Sequence, residues 1–353
     1  MKIKTIKFDK KQKEIIRAQK KKEKEEKRAQ KRAEKEHKKE IERLNRMLIP
    51  VSKKTYESLG IISFDSKVAT LRQADNKWLK TYKIEGLDDL NRDEFIDELV
   101  RLLPLRTRIT SNFSEATDGH LIRTNYITFF TVGEIYESVK LELDDLVDRI
   151  NQIFPEINLV EISSNCLMNQ IRRNFLNSGA ELDFDTLRKR KNNWKDIAFK
   201  EIALTDDYFE IDDKTGVCMQ VIQFPGSIET NFLSVLLEWR SLPMMFITDI
   251  QPLDEASNDD FRRVLEKRFN RKVEEPNEVY ANIGFTLVLL TDDKEKKEEL
   301  IADIEDLFSQ HSMIIAPVYG NTADVLESSF SYGIKDYHSM RNLEVDQVKR
   351  LIV

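Results

Sequence analysis

The glycines of this chain do not form a phosphate-binding loop. Such a loop needs glycines whose backbone N–H groups face the phosphates, followed by Lys and then Ser or Thr. None of the 10 glycines begins that pattern, and no glycine is followed by Lys. Residues 285–293 resemble the acidic strand that binds Mg²⁺ in nucleotide hydrolases, but without the loop they indicate a buried strand and a helix cap. We therefore predict no catalytic and no cofactor-binding residue in this chain.

The side chains that commonly bind metals or act as nucleophiles are scattered along the sequence. No histidine pairs with another at helical spacing, and neither cysteine has a Cys or His at the spacing of a zinc site. We therefore predict reduced cysteines and no metal site. Carboxylate pairs such as Asp144 and Asp145 are typical of solvated helices and turns. No cofactor and no small-molecule substrate is expected. The histidines and cysteines are His37, His120, His311, His338, Cys166 and Cys218.

Charge is divided unevenly between the first 50 residues and the rest. Residues 1–50 contain 20 Lys and Arg against 9 Asp and Glu, a net charge of +11. Residues 51–353 contain 37 basic and 54 acidic side chains, a net charge of −17. This division indicates an anionic partner for the N-terminal segment.

The basic segment is predicted to be one long helix. Between Asp9 and Met47 there is neither Gly nor Pro, and strong helix formers dominate. Such a helix would extend about 58 Å at 1.5 Å per residue. Between Ile16 and Ile41 the only apolar residues are alanines, so the stripe of a leucine-type coiled coil is missing. The candidate contacts with an anionic partner, acting as a diffuse charge, are Lys20, Lys21, Lys22, Lys24, Lys27, Arg28, Lys31 and Arg32.

Four interpretations of these cations stay open at the level of sequence. The helix could simply be solvated, or it could adhere to an anionic membrane leaflet at about 1 kcal/mol per Lys or Arg. It could also bind the phosphates of nucleic acid or contact a partner protein. Binding to single strands needs interleaved aromatic residues, and Phe8 is the only one in this segment. No stretch reaches the roughly 20 apolar residues of a membrane span, so any membrane contact is predicted to be peripheral.

Apolar patterns after residue 50 predict an α+β body. The order of elements predicts two mixed or antiparallel sheet units with helices packed on one face, as in the ferredoxin-like split βαβ arrangement. A parallel sheet is also compatible with the order of elements in the second unit. The predicted organisation is a basic helical arm (1–50), a first α+β unit (51–178), a polar bridge (179–214) and a second α+β unit with a C-terminal tail (215–353).

Several short motifs follow one another in a recognisable order. The basic arm is followed by Ile49-Pro-Val, Gly60-Ile-Ile and Trp78-Leu-Lys-Thr-Tyr-Lys-Ile, and later by Asn192-Asn-Trp-Lys-Asp-Ile-Ala and Ile250-Gln-Pro-Leu-Asp. The tail from Ser331-Tyr-Gly-Ile to Met340-Arg-Asn-Leu completes the series. This series resembles the N-terminal domain of the VirB-four/TraE/TrbE-like ATPases of type IV secretion, in the form found on Gram-positive conjugative elements. Asp249 departs from the family pattern, which has His before Ile-Gln-Pro.

The resemblance implies an assembly and interaction module of a conjugative secretion machine. Such a module would be cytoplasmic and peripheral to the inner face of the plasma membrane. Its expected partners are type IV secretion subunits and further copies of itself, because the family is hexameric. The ATP-hydrolysing motor of the family would follow Val353, so ATP and magnesium are expected only with that part. The alternative function is a nucleic-acid-binding accessory protein that uses the same basic arm.

Overall fold

The computed structural model describes most of the chain. The chain divides into two compact units. The first unit contains the residues up to Met47 together with Glu134–Tyr136, and the second contains the remainder. The described residues are 10–53, 60–65, 67–88, 91–102, 106–115, 121–167, 169, 201–229, 232, 244–269, 279–329 and 340–352.

The first unit is built on helix α1, Lys10–Leu44, which confirms the predicted N-terminal helix. Just beyond its end, the side chain of Asn45 donates to the carbonyl oxygen of Glu134 at 2.9 Å. The same side chain accepts the N–H of Tyr136 at 2.9 Å. Because Tyr136 is the first residue of a later helix, its N–H has no partner within that helix, and Asn45 supplies one. His37 also lies 3.0 Å from the carboxylate of Glu134.

The second unit contains one continuous sheet in which every pairing between neighbouring strands is antiparallel. Among the described residues the sheet has 14 strands. They are β1 (Ile49–Pro50), β2 (Ile61–Phe64), β3 (Thr70–Gln73), β4 (Lys77–Glu85), β5 (Thr107–Glu115), β6 (Leu121–Val132), β7 (Asn158–Glu161), β8 (Ile202–Leu204), β9 (Phe209–Ile211), β10 (Lys214–Gln223), β11 (Met244–Pro252), β12 (Tyr280–Thr291), β13 (Ile314–Pro317) and β14 (Arg341–Glu344).

Helices follow several of these strands. They are α2 (Arg92–Leu102), α3 (Tyr136–Ile153), α4 (Glu255–Phe269), α5 (Lys297–Gln310), α6 (Thr322–Ser329) and the short α7 (Val345–Val348). The predicted α+β class is therefore confirmed. The sequence pattern predicts two further helices, at 165–177 and 228–240, and these segments lie largely outside the described residues.

The sheet has the same internal order on both sides of its centre. Before the centre the order is β7-β4-β6-β5, and after it the order is β11-β12-β10-β13. Strands β5 and β11 then pair with each other over seven residues, from Thr107↔Ile250 to Phe113↔Met244. The strands of the two predicted sheet units are therefore joined in one continuous sheet, because edge strands from the two parts of the chain complete each other's hydrogen bonding.

The prediction that helices lie on one face was also wrong. Alternate residues of β5 point to opposite faces of the sheet. On one face, the side chain of Lys80 in β4 reaches Asp144 in α3, and the ring of Phe285 in β12 contacts Phe308 in α5. On the other face, Arg108 in β5 donates to the carbonyl oxygen of Ser328 in α6. A second apolar layer, which includes Leu71, Leu79, Ile247, Val325 and Leu326, forms the core under α6.

Candidate binding surface

The eight cations predicted to contact an anionic partner all lie on α1 and are exposed to solvent. One of them, Lys22, lies 3.9 Å from Glu26, one turn along the helix. An exposed ion pair of this kind contributes little to stability, typically a few tenths of a kcal/mol. The cations are therefore placed by the helical backbone rather than by contacts with other side chains.

Helical geometry separates the charges of α1 into two faces. At about 100° per residue, ten of the eleven Lys and Arg between residues 20 and 39 fall within an arc of roughly 140°. The five glutamates in the same range fall outside this arc. We call the ten cations the cationic face: Lys20, Lys21, Lys24, Lys27, Arg28, Lys31, Arg32, Lys35, Lys38 and Lys39.

The cationic face contains seven of the eight candidate residues. Lys22 lies on the opposite side of the helix, beside the glutamates. The face also adds Lys35, Lys38 and Lys39, which the sequence-based selection did not include. The sequence-based prediction treated these cations as a diffuse charge and did not identify that they lie on one side of the helix. The 3.6-residue period of a helix is sufficient to find this one-sided arrangement.

The cationic face forms an extended line of positive charge. It runs for about 28 Å from Lys20 to Lys39 at 1.5 Å per residue. No Leu, Ile, Val, Met or aromatic residue other than His37 lies in this range, so this part of the helix has no apolar side to insert between lipid chains or to form a core. Binding would be electrostatic, and salt would weaken it because the charges are exposed.

A second cluster of charges is buried around Lys80 in β4. The ammonium group of Lys80, whose side chain is 1% exposed, lies 2.7 Å from both Asp144 in α3 and Glu161 in β7. Burial alone would lower the pKa of Lys80, but neighbouring Tyr82 and the two carboxylates outweigh it and raise the pKa. Lys80 is therefore a permanent cation that holds β4, α3 and β7 together, and it is unsuited to act as a base or nucleophile.

A third cluster lies at the centre of the sheet, where β5 meets β11. Arg108 and Asp249 are cross-strand partners, and both side chains are 0% exposed. The guanidinium donates to the carboxylate through Nε at 3.0 Å and Nη2 at 2.7 Å. Arg106 approaches the same carboxylate at 3.4 Å. This bidentate ion pair links the two parts of the sheet and has no exposed face for a substrate.

A fourth cluster surrounds Tyr208, just before β9. Lys294 and Lys297 lie over its ring, with 4.9 and 4.2 Å from the ammonium groups to the ring centroid. The same lysines pair with Glu210 and Asp207. The start of α5 is thereby tied to the β8–β9 hairpin, and the cations are already matched by carboxylates.

The other residues considered for metal binding or catalysis, in β12 and at His311 and Cys218, make contacts within the fold. The strand resembling an Mg²⁺-binding strand is β12, which pairs with β10 on one side and β11 on the other. His311 lies 3.0 Å from Glu229 and against the ring of Phe232. Burial raises the pKa of the Cys218 thiol, so this side chain stays protonated. Within the described ranges, no group of three or more potential metal-binding side chains is present. The motifs at 192–198 and 331–334 and the residues His120 and His338 lie outside the described residues.

The described helices also include none that is long and apolar enough to cross a membrane. Comparison with protein-family models finds no match for the sequence. No curated protein matches it either.

Proposed function

We propose that this chain is an assembly module of a conjugative type IV secretion machine, which attaches through α1 to an anionic partner at the cytoplasmic face of the membrane. The observation that carries the proposal is the one-sided cationic face on a helix that forms a compact unit separate from the acidic sheet unit. A surface with this shape and charge is suited to attachment and unsuited to chemistry. The conjugative setting rests on the motif resemblance alone.

The positions of the motif residues support a scaffold role for the sheet unit. Lys80 and Tyr82, from the Lys-Thr-Tyr motif, are both 1% exposed in the centre of β4. Asp249, which stands where the family has His, forms the buried pair with Arg108. These residues stabilise the framework, which is the expected role for motifs in a domain that organises neighbouring subunits.

We also infer that each half of the sheet is a ferredoxin-like split βαβ unit. In the first half, the chain order β4-α2-β5-β6-α3-β7 combines with the sheet order β7-β4-β6-β5. The second half repeats this sheet order with β10, β11, β12 and β13, although α4 lies in the connection where the first half has a hairpin. The two-fold occurrence of the order supports the assignment.

Vesicle co-sedimentation tests the attachment. The full chain is expected to bind vesicles rich in phosphatidylserine at low salt and to leave neutral phosphatidylcholine vesicles unbound. Reversing six members of the cationic face, K20E/K24E/K27E/R28E/K31E/R32E, is expected to abolish binding. The matched control K24E/E25K/E26K/K27E/K35E/E36K keeps the net charge but disperses the cations around the helix, and it is expected to bind several-fold more weakly than the native chain.

Duplex and single-stranded DNA are the competing ligands in the same assay. Stronger binding to DNA than to vesicles, with a steep loss as salt rises, would favour the nucleic-acid-binding alternative. Equal binding of the native chain and the six-fold reversal variant to every anionic ligand would remove the role of α1. In a cell carrying the conjugative element that encodes this chain, the reversal is also expected to lower the transfer frequency, because attachment through α1 is lost.

A further inference from the structure

Strands β6 and β12 occupy equivalent places in the two halves of the sheet. Each has 12 residues, and each lies between a central strand, β5 or β11, and an outer strand, β4 or β10. The outer strand covers only part of its neighbour. Strand β4 pairs with Asn125–Val132 of β6, and β10 pairs with Thr286–Thr291 of β12. The first residues of β6 and of β12 therefore extend beyond the outer strand.

In the second half of the sheet, strand β14 fills the place beside this extension. It pairs antiparallel with Tyr280–Ile283, the first four residues of β12. In the first half, no strand of the described segments pairs with the first four residues of β6 on the side of β4. The chain turns away after β4, because Gly86 has a φ of +81° and its carbonyl oxygen accepts the side-chain N–H of Asn91 at 2.8 Å. We call Leu121–Thr124 the open edge.

The backbone groups of the open edge point in a known direction. Near the other end of β6, Phe130 donates its N–H to the carbonyl oxygen of Arg106 at 3.0 Å, on the side of β5. Successive residues of an antiparallel strand direct their N–H and C=O groups to opposite neighbours. Even-numbered residues of β6 therefore bond to β5, and odd-numbered residues point toward the side of β4. The N–H and C=O groups of Leu121 and Arg123 thus face the open side, where they can template an added strand.

The side chains of the open edge indicate which peptide would fit. Ile122 is 52% exposed, although it is a large aliphatic residue within a strand. Arg123 is also exposed, and its guanidinium donates to the carbonyl oxygen of Leu87 at 3.1 Å, which is a neutral acceptor. Because Ile122 and Arg123 point to opposite faces of the sheet, an added strand would meet an aliphatic side chain on one face and a cation on the other. Cross-strand pairing favours an aliphatic residue opposite Ile122 and a carboxylate opposite Arg123.

We propose that an extended segment of a partner protein adds to the open edge as an antiparallel strand, in the position that β14 has beside β12. The segment contains Asp or Glu opposite Arg123, followed directly by an aliphatic residue opposite Ile122. This docking site goes beyond the proposed function, because it does not use the attachment through α1. A ladder of four residues is short, so an isolated peptide is expected to bind weakly, and further contacts of the partner would add to its affinity.

Titration of the full chain with the peptide acetyl-Lys-Thr-Glu-Ile-Thr-Lys-amide tests the proposal. In the antiparallel register its Glu and Ile come opposite Arg123 and Ile122. NMR of the isotope-labelled chain follows the Arg123 amide, which is expected to shift and to exchange more slowly with solvent when the peptide binds. N-methylation of the peptide's Glu removes the N–H that pairs with Arg123 and is expected to weaken binding at least about tenfold. N-methylation of its Ile blocks an N–H that points away from β6 and is expected to change binding by less than about twofold.

Substitutions of Arg123 provide the reciprocal test. Arg123→Pro removes an N–H that does not bond to β5, so it is expected to abolish peptide binding while the β5–β6 ladder persists. Arg123→Ala keeps the N–H and removes the cation, and it is expected to weaken binding about two- to fivefold. A native chain that does not bind the probe, or that binds both N-methylated peptides equally, would overturn the proposal whether or not the proline variant folds. Both variants are expected to bind anionic vesicles like the native chain, so the proposed function is tested separately.

Discussion

Asp249 lies at the centre of the sheet, where β5 meets β11. Its side chain is 0% exposed and accepts two hydrogen bonds from Arg108, while Arg106 approaches the same carboxylate. Removing one partner of a buried pair leaves the other charge uncompensated, which costs about 3–5 kcal/mol. We expect Asp249→Ala to lower the free energy of unfolding by this amount in urea titrations.

The double variant R108L/D249L is the appropriate comparison. Replacing a buried ion pair by apolar residues of similar volume is often neutral, because two desolvated charges are removed together. Arg106 is 16% exposed and can turn its charge toward water. We therefore expect the double variant to regain most of the lost stability. A single variant within about 1 kcal/mol of the native chain would contradict the assigned role of the pair.

Tyr82 provides a pH-dependent prediction. Burial raises its pKa to about 12; the Lys80 ammonium opposes this rise and the carboxylates of Asp144 and Glu161 add to it. A tyrosine in the unfolded chain ionises near pH 10, so from about pH 10 to pH 12 only the unfolded state loses this proton. The contribution of Tyr82 is therefore complete below pH 10 and is lost as the pH rises toward 12.

The variant Tyr82→Phe isolates this contribution. Its ring keeps the edge-on contact with Phe129, whose centroid is 5.9 Å away. We expect the variant to match the native chain at pH 7 within about 0.5 kcal/mol. Between pH 10 and 12 the native chain should lose about 1–3 kcal/mol more than the variant. The measurement is the difference between the two unfolding free energies as pH rises, and parallel curves would contradict the prediction.

At the level of single elements, strand β10 depends on a glycine. Gly216 pairs with Phe209 in β9, and a Cβ at this position would lie 2.0 Å from the Phe209 ring. The ring therefore occupies the space that a side chain would need. We expect Gly216→Ala to displace the β8–β9 hairpin and to cost about 1–3 kcal/mol, measured by thermal or urea unfolding.

Gly226 provides the matched control for this substitution. A Cβ at Gly226 would meet nothing within 4 Å, so Gly226→Ala is expected to change stability by less than about 0.5 kcal/mol. Equal effects of the two substitutions would show that the Phe209 ring is not the cause of the loss.

Element types were largely predictable because most of the chain is strongly periodic. The helical spacing of Phe95, Ile96 and Leu99 predicts a helix at 91–103, which corresponds to α2. The sequence also predicts a strand at 244–250, which corresponds to β11. Strands β3, β8, β9 and β14 are too short to be predicted from the sequence, since an alternation of three or four residues does not differ from that of a loop. Two of these, β8 and β9, lie in the predicted polar bridge.

Of the charged residues, the exposed ones were predictable from the sequence and the buried ones were not. The exposure of Lys20 to Arg32 was predictable, because a helix without large apolar residues has no side to bury. The buried charges of Lys80, Arg108 and Asp249 were not selected from the sequence. A charged residue within an apolar alternating strand indicates a buried charge. Its role depends on which strand, distant in the sequence, pairs with it.

For the molecule as a whole, the pairing of β5 with β11 decides how the chain unfolds. These strands are more than 130 residues apart, and no local pattern specifies their pairing. Because the sheet continues through them, its two halves share backbone hydrogen bonds and the Arg108–Asp249 pair. We expect the sheet unit to open as one cooperative structure rather than as two domains at 51–178 and 215–353.

Native-state hydrogen exchange under increasing denaturant measures this cooperativity. The slowest amides of β4 and β6, in the first half, should approach the same opening free energy as those of β10 and β12, in the second. The variant Asp249→Ala sharpens the test, because Asp249 belongs to the second half by sequence. If the halves are one unit, the substitution lowers protection equally in both. If protection in β4 and β6 stayed unchanged while that in β10 and β12 fell, the two halves would be independent domains. The pairing of β5 with β11 would then join the halves without making them unfold together.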